Sequence, residues 1–322
     1  MPDIAVIIVN YNAAEMAIDA VESVLERDHG GRGVEIHLVD NASPDGSASR
    51  LAEAAATWGR RVIFYPEAEN HGFGRGNNVA LTALARRADP PELVFLLNPD
   101  AVLANEAIDL LATFLETHPE AAIAGPRILA PEGHAVTAAF RFPSLLGTFG
   151  SAVNFGPISR LFARWEVAMA PELPECPVDW VSGAAFMARF EAIRAAGFFH
   201  PGFFLYFEET DLMRAVRARG GEVWHVPDAR VTHIEGGTTG VETGTRRRQS
   251  RFWYQSWRIY FTKNHGRGVA LVGAVFWVIG TALDHGISRL RGREPGAPRH
   301  FFRDFWGIGI RPLIGLSERS HG

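Results

Sequence analysis

The chain has 322 residues, of which 47% are hydrophobic, and a formal net charge of −4 at pH 7. This length suits one large domain or a domain with an appendage, and the slightly acidic balance argues against nucleic-acid binding. The single cysteine, Cys176, excludes an internal disulfide framework and is typical of a reducing compartment. The opening residues lack the basic region and long apolar core of a signal peptide, so we expect none.

In the first half of the chain, short apolar runs alternate with stretches whose apolar residues recur at helical spacing. The apolar runs predict strands over 4–9, 34–39, 62–65, 93–97 and 121–126. The helical spacing predicts helices over 14–25 and 48–58, one that ends near Arg86, and one that has Asn105 as its N-cap. This alternation is typical of βαβ units and a parallel sheet.

Polar residues follow three of these strands at the point where each strand ends. They are Asn10-Tyr11-Asn12, Asp40-Asn41 and Asn98-Pro99-Asp100. Because the carboxyl ends of parallel strands meet at one edge, where open α/β sheets bind ligands, we expect these side chains to gather there. Pro99 fixes the backbone next to Asp100. Asp100 could then hold a divalent cation that binds a diphosphate, or it could cap the following turn.

A glycine-rich segment, 70–78, opens the helix that ends near Arg86. Gly72, Gly74 and Gly76 occupy alternate positions, which permits close backbone approach, and a helix N-terminus favours anions. The order of these glycines differs from the dinucleotide-binding fingerprint. An anion-binding turn and a plain tight loop both fit the pattern.

The later part of the chain is less regular. Over 130–177 we expect loops and short elements above the ligand edge. Regular patterns then predict a strand over 184–188, a helix over 190–196 that Gly197 ends, and a strand pair over 222–227 and 229–233.

An acidic cluster follows a run of apolar and aromatic residues, 203–207. On a helix, Glu208 and Asp211 share a face while Glu209 points elsewhere. Apolar neighbours and like charges would raise one of these pKa values towards neutrality, as a general base requires, although helix-start acids also complement the helix dipole. His233, just before the glycine-rich residues 235–240, is either a metal ligand or a hydrogen-bonded structural residue.

The last part of the chain combines basic clusters with aromatic residues. Basic residues at 246–248 and 251 precede an uncharged stretch over 269–283, and Arg289, Arg291 and Arg293 follow it. The uncharged stretch is shorter than a typical span of about 20 residues, but it is long enough for a re-entrant helix or for one that lies in the interface. The pattern fits an anionic membrane surface, a substrate diphosphate, or a helical appendage that packs on the main domain or a second subunit.

Several short motifs occur along the chain in one order. They are Val9-Asn10-Tyr11-Asn12, Val39-Asp40-Asn41-Ala42-Ser43, the glycine-rich segment 70–78, Leu97-Asn98-Pro99-Asp100, Ser182-Gly183-Ala184, Phe207-Glu208-Glu209-Thr210-Asp211-Leu212 and His233. This ordered set resembles the inverting family-2 glycosyltransferases of the GT-A fold, close to the bacterial rhamnosyltransferases of cell-wall and O-antigen assembly. The resemblance covers about residues 3–240.

The resemblance implies an α/β fold with a Rossmann-like, mostly parallel central sheet flanked by helices, and a helical C-terminal appendage. It implies a glycosyltransferase domain over 1–240, with a nucleotide-binding half over about 1–127 and an acceptor half over about 128–240. Residues 241–322 would form the helical, basic and aromatic C-terminal region. The expected location is cytoplasmic, at the inner face of the membrane if this region binds lipid.

The resemblance also implies a nucleotide-diphosphate sugar as donor, with Mg²⁺ or Mn²⁺ on its diphosphate. Asp40 would contact the base, and the other residues expected around the donor are Asn10, Tyr11, Asn12, Asn41, Gly74, Asn77 and Asn98. Asp100 stands where the family's metal-binding D-x-D motif ends, and His233 matches a later histidine that can complete the metal site. Asn98 occupies the first acidic position of that motif, so one metal ligand is weaker or absent.

The catalytic base is expected in the acidic cluster. The family usually has a Glu-Asp pair whose second member is the base, and here that member is Glu209, with Glu208 and Asp211 as substitutes. The expected mechanism is a single in-line displacement without an enzyme-bound sugar. In it the base deprotonates the acceptor hydroxyl while the cation neutralises the leaving group.

The resemblance leaves the substrates open. The donor could be linked to dTDP, UDP or GDP and could carry rhamnose, and the acceptor could be a glycan or a lipid-linked glycan of cell-envelope polysaccharide synthesis. A sugar nucleotidyltransferase is less consistent, because Asn10-Tyr11-Asn12 replaces the glycine-rich, basic loop of such enzymes. A non-catalytic nucleotide-sugar or glycan-binding subunit is a further alternative. No nucleic-acid partner is expected, while a membrane surface or a homo-oligomer would both fit the tail.

Overall fold

The computed structural model describes residues 3–234 and 248–319. The strands, in chain order, are β1 Ile4–Asn10, β2 Val34–Asp40, β3 Val62–Pro66, β4 Leu93–Leu97, β5 Ala101–Leu103, β6 Ala121–Leu129, β7 Ala135–Val136, β8 Ala139–Phe140, β9 Cys176–Val178, β10 Trp180–Val181, β11 Ala185–Arg189 and β12 Glu222–His233. The helices are α1 Ala14–Leu25, α2 Ser47–Trp58, α3 Phe73–Ala85, α4 Ala107–Thr117, α5 Leu145–Val153, α6 Gly156–Leu161, α7 Phe190–Ala196, α8 Glu208–Arg217, α9 Arg251–Leu290, α10 Phe301–Asp304 and α11 Arg311–Leu313.

The central sheet has the strand order β3-β2-β1-β4-β11-β6-β12-β5. The first four strands of this order are parallel, as predicted. β11 then runs antiparallel to both β4 and β6, and the long β12 is parallel to β6 and antiparallel to β5. β5 follows β4 after only three residues of chain but lies four strands away in the sheet, so the sheet curls back on itself.

Both faces of the central strands are covered, which explains why β1 and β4 are apolar throughout. Alternate residues of β1 point to opposite faces: Ile4, Val6 and Ile8 join one hydrophobic cluster with residues of α1 and α4. Ala5 and Ile7 join the other cluster, with residues of α3, α7 and α8. A strand buried on both faces cannot show the polar alternation of a half-exposed strand. The predicted α/β sheet flanked by helices is therefore confirmed.

Two local predictions were wrong. Asn105 does not cap α4: the helix begins at Ala107, and the Asn105 side chain donates to the Asp228 carbonyl and accepts from the Arg230 backbone N–H. Residues 222–233 form one strand, β12, rather than a strand pair. Its pairing with β6 is irregular between Val226 and Arg230, and this bulge accommodates Pro227, which cannot donate to a regular ladder.

The described residues group into two compact units. The first contains residues 3–140, 169–204 and 208–234, and the second contains residues 141–168, 205–207 and 248–319. Residues 141–168, assigned above to the acceptor half, thus group with the C-terminal helices. The glycine-rich residues 235–240 and the basic residues Arg246 and Arg247 lie outside the described residues.

The second unit is helical, as expected for the C-terminal appendage. α5 packs along α9, and α9 is interrupted at Gly266, whose φ of 82° breaks the helix into two segments. The core of the second unit is aromatic. The centroid of the Trp277 ring lies 4.9 Å from that of Trp253 and 4.5 Å from that of Phe305. Within the described residues, α9 is the one helix long and apolar enough to cross a membrane by length and composition.

Candidate active site

The polar strand ends meet at one edge of the sheet in the first unit, as the sequence predicted. Asn10 at the end of β1 is paired in register with Asp40 at the end of β2. Leu97 at the end of β4 is paired with Ala185 at the start of the antiparallel β11. The backbone N–H of Asn98 then donates to the carbonyl of Ala184 at 2.8 Å. This register places 10, 40, 98 and 184 along one line at the carboxyl edge.

Asp40 is buried and is held by three hydrogen bonds. Its Oδ1 accepts from Asn10 Nδ2 and from the Ser43 hydroxyl, each at 2.7 Å, and its Oδ2 accepts from the Ser43 backbone N–H at 3.1 Å. The Asn10 side chain also accepts from the Ala13 N–H, which fixes the turn into α1. The carboxylate is therefore oriented before any ligand binds.

The residues of the first turn are less enclosed. Tyr11 is 36% exposed, and Asn12 has a left-handed φ of 57°. The Asn12 backbone N–H donates to the Ser43 hydroxyl at 2.9 Å, so Ser43 connects this turn to Asp40. The sequence alone indicates Ser43 only as the last residue of the motif Val39-Asp40-Asn41-Ala42-Ser43. Its position three residues after Asp40 matches the local pattern in which an Asp side chain accepts from a later backbone N–H.

Asn41 fixes the glycine-rich segment to the end of β2. Its side chain donates to Asn70 Oδ1 and to the Gly72 carbonyl, both at 3.1 Å, and accepts from the His71 N–H at 3.0 Å. Gly72 has a φ of 76°, and a Cβ there would collide with the backbone of Phe204. This glycine is therefore required by a close backbone approach.

The start of α3 approaches the start of α8. A Cβ on Gly74 would lie 3.0 Å from the Phe199 Cβ and 3.3 Å from the Glu208 Cβ. Asn77, one turn further, is buried, and its Nδ2 donates to the Phe73 carbonyl, so this donor is used within the helix. Gly74 thus brings the glycine-rich segment next to the acidic cluster.

Asp100 and His233 form a contact pair at the same edge. Asp100 ends the turn that follows β4, and His233 ends β12, opposite Ala101 in the β5–β12 ladder. His233 Nε2 lies 3.1 Å from Asp100 Oδ1, and the Asp100 side chain is buried. The two residues are far apart in sequence, and the curl of the sheet joins them.

The acidic cluster opens α8, with Glu208 and Asp211 buried and Glu209 only partly so. Oε1 of Glu209 lies beside Gly183, 3.3 Å from the position that a Cβ would occupy there. Gly183 precedes Ala184, whose carbonyl accepts from Asn98. A short path of contacts therefore connects Glu209 with the Asn98–Asp100 turn.

Comparisons with known proteins agree with this geometry. The model of the glycosyl transferase family 2 matches residues 5–145. Over 220 aligned residues, the chain is 30% identical to the N-acetylglucosaminyl-diphospho-decaprenol L-rhamnosyltransferase of Mycobacterium tuberculosis. The alignment covers 65% of this chain and 69% of that relative. The chain belongs to the family-2 glycosyltransferases.

Solved structures support the GT-A fold of this glycosyltransferase. One is the mannosyltransferase PcManGT of Pyrobaculum calidifontis with GDP-Man and Mn²⁺, at a TM-score of 0.54, 16% identity, and coverage of 92% of this chain and 77% of that one. Another is S. aureus TarS 1-349 in complex with UDP, at a TM-score of 0.54, 14% identity, and coverage of 98% and 83%. The predicted fold and family are confirmed.

In this glycosyltransferase, Asp100 and His233 can supply part of a cation site. Within residues 3–234 and 248–319, no cluster of three or more His, Cys, Asp or Glu side chains could hold a metal alone. Asn98, two residues before Asp100 in the same turn, has a buried Oδ1 that lacks a hydrogen-bond partner among the described residues. Amide and carboxylate oxygens and substrate phosphates are suitable ligands for a hard cation. These residues therefore fit a cation that shares its coordination with a bound diphosphate.

Glu209 has the electrostatic character of a general base. Burial raises the pKa of its carboxyl above the usual value, and the backbone N–H groups of Glu209 and Thr210 oppose this shift in part. Its Oε2 is buried and has no hydrogen-bond partner within the described parts of the chain. A carboxylate with a raised pKa and an unused oxygen can accept a proton from a hydroxyl.

Proposed function

We propose that this glycosyltransferase is an inverting, divalent-cation-dependent enzyme that transfers rhamnose from a nucleotide-diphosphate sugar to a lipid-linked glycan. The support for the sugar and the acceptor is the name of the mycobacterial relative, which is a rhamnosyltransferase acting on N-acetylglucosaminyl-diphospho-decaprenol. A lipid-linked acceptor also supports a cytoplasmic enzyme at the membrane surface.

The main support for this mechanism is that Glu209 has a raised pKa and a buried Oε2 without a hydrogen-bond partner among the described residues. Its carboxylate would take the proton from the acceptor hydroxyl as that oxygen bonds to the anomeric carbon. The bond from this carbon to the diphosphate breaks, and the nucleoside diphosphate leaves with the electron pair. Attack opposite the leaving group inverts the anomeric centre and needs no enzyme-bound sugar. Glu208 and Asp211 remain the alternative bases.

The remaining residues would bind the donor. Asp40, held by Asn10 and Ser43, has the fixed orientation that recognition of a nucleobase needs. Asp100 and His233, together with Asn98, would hold Mg²⁺ or Mn²⁺. When bound, such a cation supplies positive charge that stabilises the departing diphosphate.

The test compares the acids of α8 in the full-length enzyme. Glu209→Gln should lower kcat by about 10²- to 10⁴-fold, the range for loss of a general base, while donor affinity by calorimetry stays within about twofold. Glu191→Gln, an exposed acid on α7, is the matched control and should keep wild-type kcat. Retained turnover in Glu209→Gln, with a loss in Glu208→Gln or Asp211→Asn, would move the base to that residue.

A second experiment addresses the cation. The donor is titrated with and without Mn²⁺ into the wild type and into Asp100→Ala and His233→Ala. The wild type should bind the donor more tightly with Mn²⁺, and both variants should lose most of that difference. If Mn²⁺ has no effect on wild-type donor binding, the proposed cation dependence is wrong, although glycosyl transfer itself is not excluded.

A further inference from the structure

The second half of α9 carries an exposed apolar stripe, which we define as Val269, Val272, Val275, Ile279 and Leu283. These side chains recur every three or four residues, so they lie on one side of the helix. They are 37% to 53% exposed. From 268 to 283 the helix has no charged residue. An exposed helix side without charge is unusual for a water-facing surface and indicates a binding surface.

The opposite side of this helix is already occupied within the second unit. Gly273 and Gly280 of α9 lie directly against α5. A Cβ atom added to Gly273 would lie 3.0 Å from Leu145 Cδ2, and one added to Gly280 would lie 2.7 Å from the Ala152 Cβ. At the end of the stripe, buried Asp284 accepts from the backbone N–H of Gly296 at 2.8 Å. Lipid therefore cannot surround this helix while the second unit is folded.

The length of the uncharged segment leads to the same conclusion. Residues 268–283 span about 24 Å at 1.5 Å per residue, which is less than the hydrocarbon core of about 30 Å. α9 as a whole is long enough to span a membrane, but its uncharged segment is shorter than the hydrocarbon core. Such a segment, with one apolar side exposed and the other side packed on protein, is suited to lie in the plane of the interface.

The charges at both ends of the stripe favour an anionic bilayer over a second copy of the chain. Lys263 and Arg267 are exposed before the stripe, and Arg289, Arg291 and Arg293 are exposed after it. Two copies pairing through this side would bring cationic ends together in either orientation, which costs free energy. Anionic headgroups would neutralise the same charges, and long Arg side chains can reach them from a helix lying in the interface.

We propose that the exposed stripe and its terminal arginines form a docking surface on which the enzyme binds an anionic lipid bilayer, with this part of α9 lying parallel to the membrane. The surface lies entirely within the second unit. Its lipid binding needs neither donor nor acceptor, so it is testable apart from glycosyl transfer.

The first test is co-sedimentation of the full-length protein with vesicles of phosphatidylcholine and phosphatidylglycerol. Val275→Glu/Ile279→Glu should weaken binding at least about 10-fold, because it removes apolar contact and adds negative charge. The matched control is Leu161→Glu, at an apolar residue on α6 that is 74% exposed and outside the stripe, and it should bind like wild type. Thermal unfolding checks that each variant is folded.

The second test concerns the arginines. Arg289→Ala/Arg293→Ala should weaken binding to the mixed vesicles about 30-fold, since each basic residue near an anionic surface contributes about 1 kcal/mol. Binding to pure phosphatidylcholine should be weak in wild type and little changed in this variant. Equal binding of the wild type to both kinds of vesicle would contradict the requirement for anionic lipid.

Two outcomes would overturn the proposal. One is wild-type vesicle binding by a folded Val275→Glu/Ile279→Glu variant. The other is that the wild type binds neither kind of vesicle and is instead a dimer in solution that this double substitution dissociates. The orientation is checked by labelling Val272→Cys and Leu283→Cys, each in a Cys176→Ser background, with an environment-sensitive fluorophore. Quenchers should place both labels at the same shallow depth, whereas a spanning helix would give different depths.

Discussion

At the scale of single residues, the position of Glu209 depends on a neighbour without a side chain. Gly183 lies against Oε1 of Glu209, and an added Cβ would sit 3.3 Å from that oxygen, tighter than most real contacts of this kind. We expect Gly183→Ala to displace the carboxylate and lower kcat by roughly 10- to 100-fold, since small misplacements of a reacting group are costly. Steady-state kinetics measures this change.

Gly286→Ala is the matched control for this substitution, because a Cβ at Gly286 meets open space. It should leave kcat unchanged. Donor affinity should be unchanged in both variants, since neither touches the proposed donor residues. A Gly183→Ala enzyme with wild-type kcat would show that Glu209 either moves freely or is not the base.

The pH dependence of activity provides a second prediction at this scale. Because burial raises the pKa of Glu209, its proton-accepting form is lost at a higher pH than for an ordinary glutamate. We expect kcat/KM to rise with pH through an acidic limb whose midpoint lies above about 4.5. Residual activity of Glu209→Gln should lack this limb, and an unchanged limb in that variant would assign it to another group.

The sequence predicted which residues lie together at the candidate site better than it predicted the contacts that hold them there. Asn10, Asp40 and Asn98 were identifiable because strand ends of a parallel sheet share an edge. The contact of Gly183 with Glu209 joins residues from separate elements, and no local pattern reveals it. The pairing of Asp100 with His233 also depends on the curl of the sheet, so the resemblance suggested it while the residue pattern alone could not.

At the scale of secondary-structure elements, α3 is tied to the loop before α8 by a pair of hydrogen bonds. Asn78 Nδ2 donates to the Phe199 carbonyl at 2.8 Å, and the Phe199 N–H donates to Asn78 Oδ1 at 3.1 Å. Asn78→Ala would leave both backbone groups unpaired in a half-buried place. We expect the free energy of unfolding to fall by about 2 kcal/mol, measured by denaturant titration.

Asn105 offers a matched comparison, because it makes the same two kinds of bond to the backbone of β12 in a more exposed place. Water can replace the lost partners there, so Asn105→Ala should cost less than about 1 kcal/mol. Equal losses for the two variants would mean that the exposure of the backbone groups does not decide their cost.

Elements with strong local patterns were predictable, and those defined by distant partners were not. The apolar runs of β1 and β4 and the helical spacing of α1 stand out in any window of the sequence. The irregularity in β12 was missed because Pro227 and Asp228 favour a turn locally, while pairing with β6 keeps the strand continuous. The insertion of β11 between β4 and β6 likewise depends on the sheet as a whole.

At the scale of the whole molecule, the grouping of the chain into two units does not follow the order of the sequence. Residues 141–168 join the C-terminal helices because α5 packs against α9, more than a hundred residues later. Gly273 and Gly280 of α9 permit this close approach of the two helices. In the sequence, they look the same as glycines of an exposed helix. Composition alone could therefore indicate a distinct C-terminal region, but it could not show that residues 141–168 group with that region.

The stability of the fold should depend on pH through one buried histidine. His225 on β12 is 1% exposed, faces Cys176 across the β9–β12 ladder, and has no partner for either ring nitrogen within the part of the chain described. Burial, with a smaller effect of the positive charge of Arg127, lowers the pKa of His225 to about 4. The unfolded chain, with a pKa near 6.5, binds the proton more readily.

The sign of this dependence follows from the lowered pKa. The contribution is fully present above about pH 6.5 and is lost as the pH falls towards 4, amounting to about 3 kcal/mol in the free energy of unfolding. The raised pKa of Glu209 acts in the opposite direction, so the net slope in wild type is smaller. Urea titrations between pH 4 and 8 measure the free energy of unfolding at each pH relative to its value at pH 8. This free energy should fall less steeply towards acidic pH in His225→Leu than in wild type. His134→Leu, at an exposed histidine, should keep the wild-type slope, and identical slopes in wild type and His225→Leu would contradict a buried neutral imidazole.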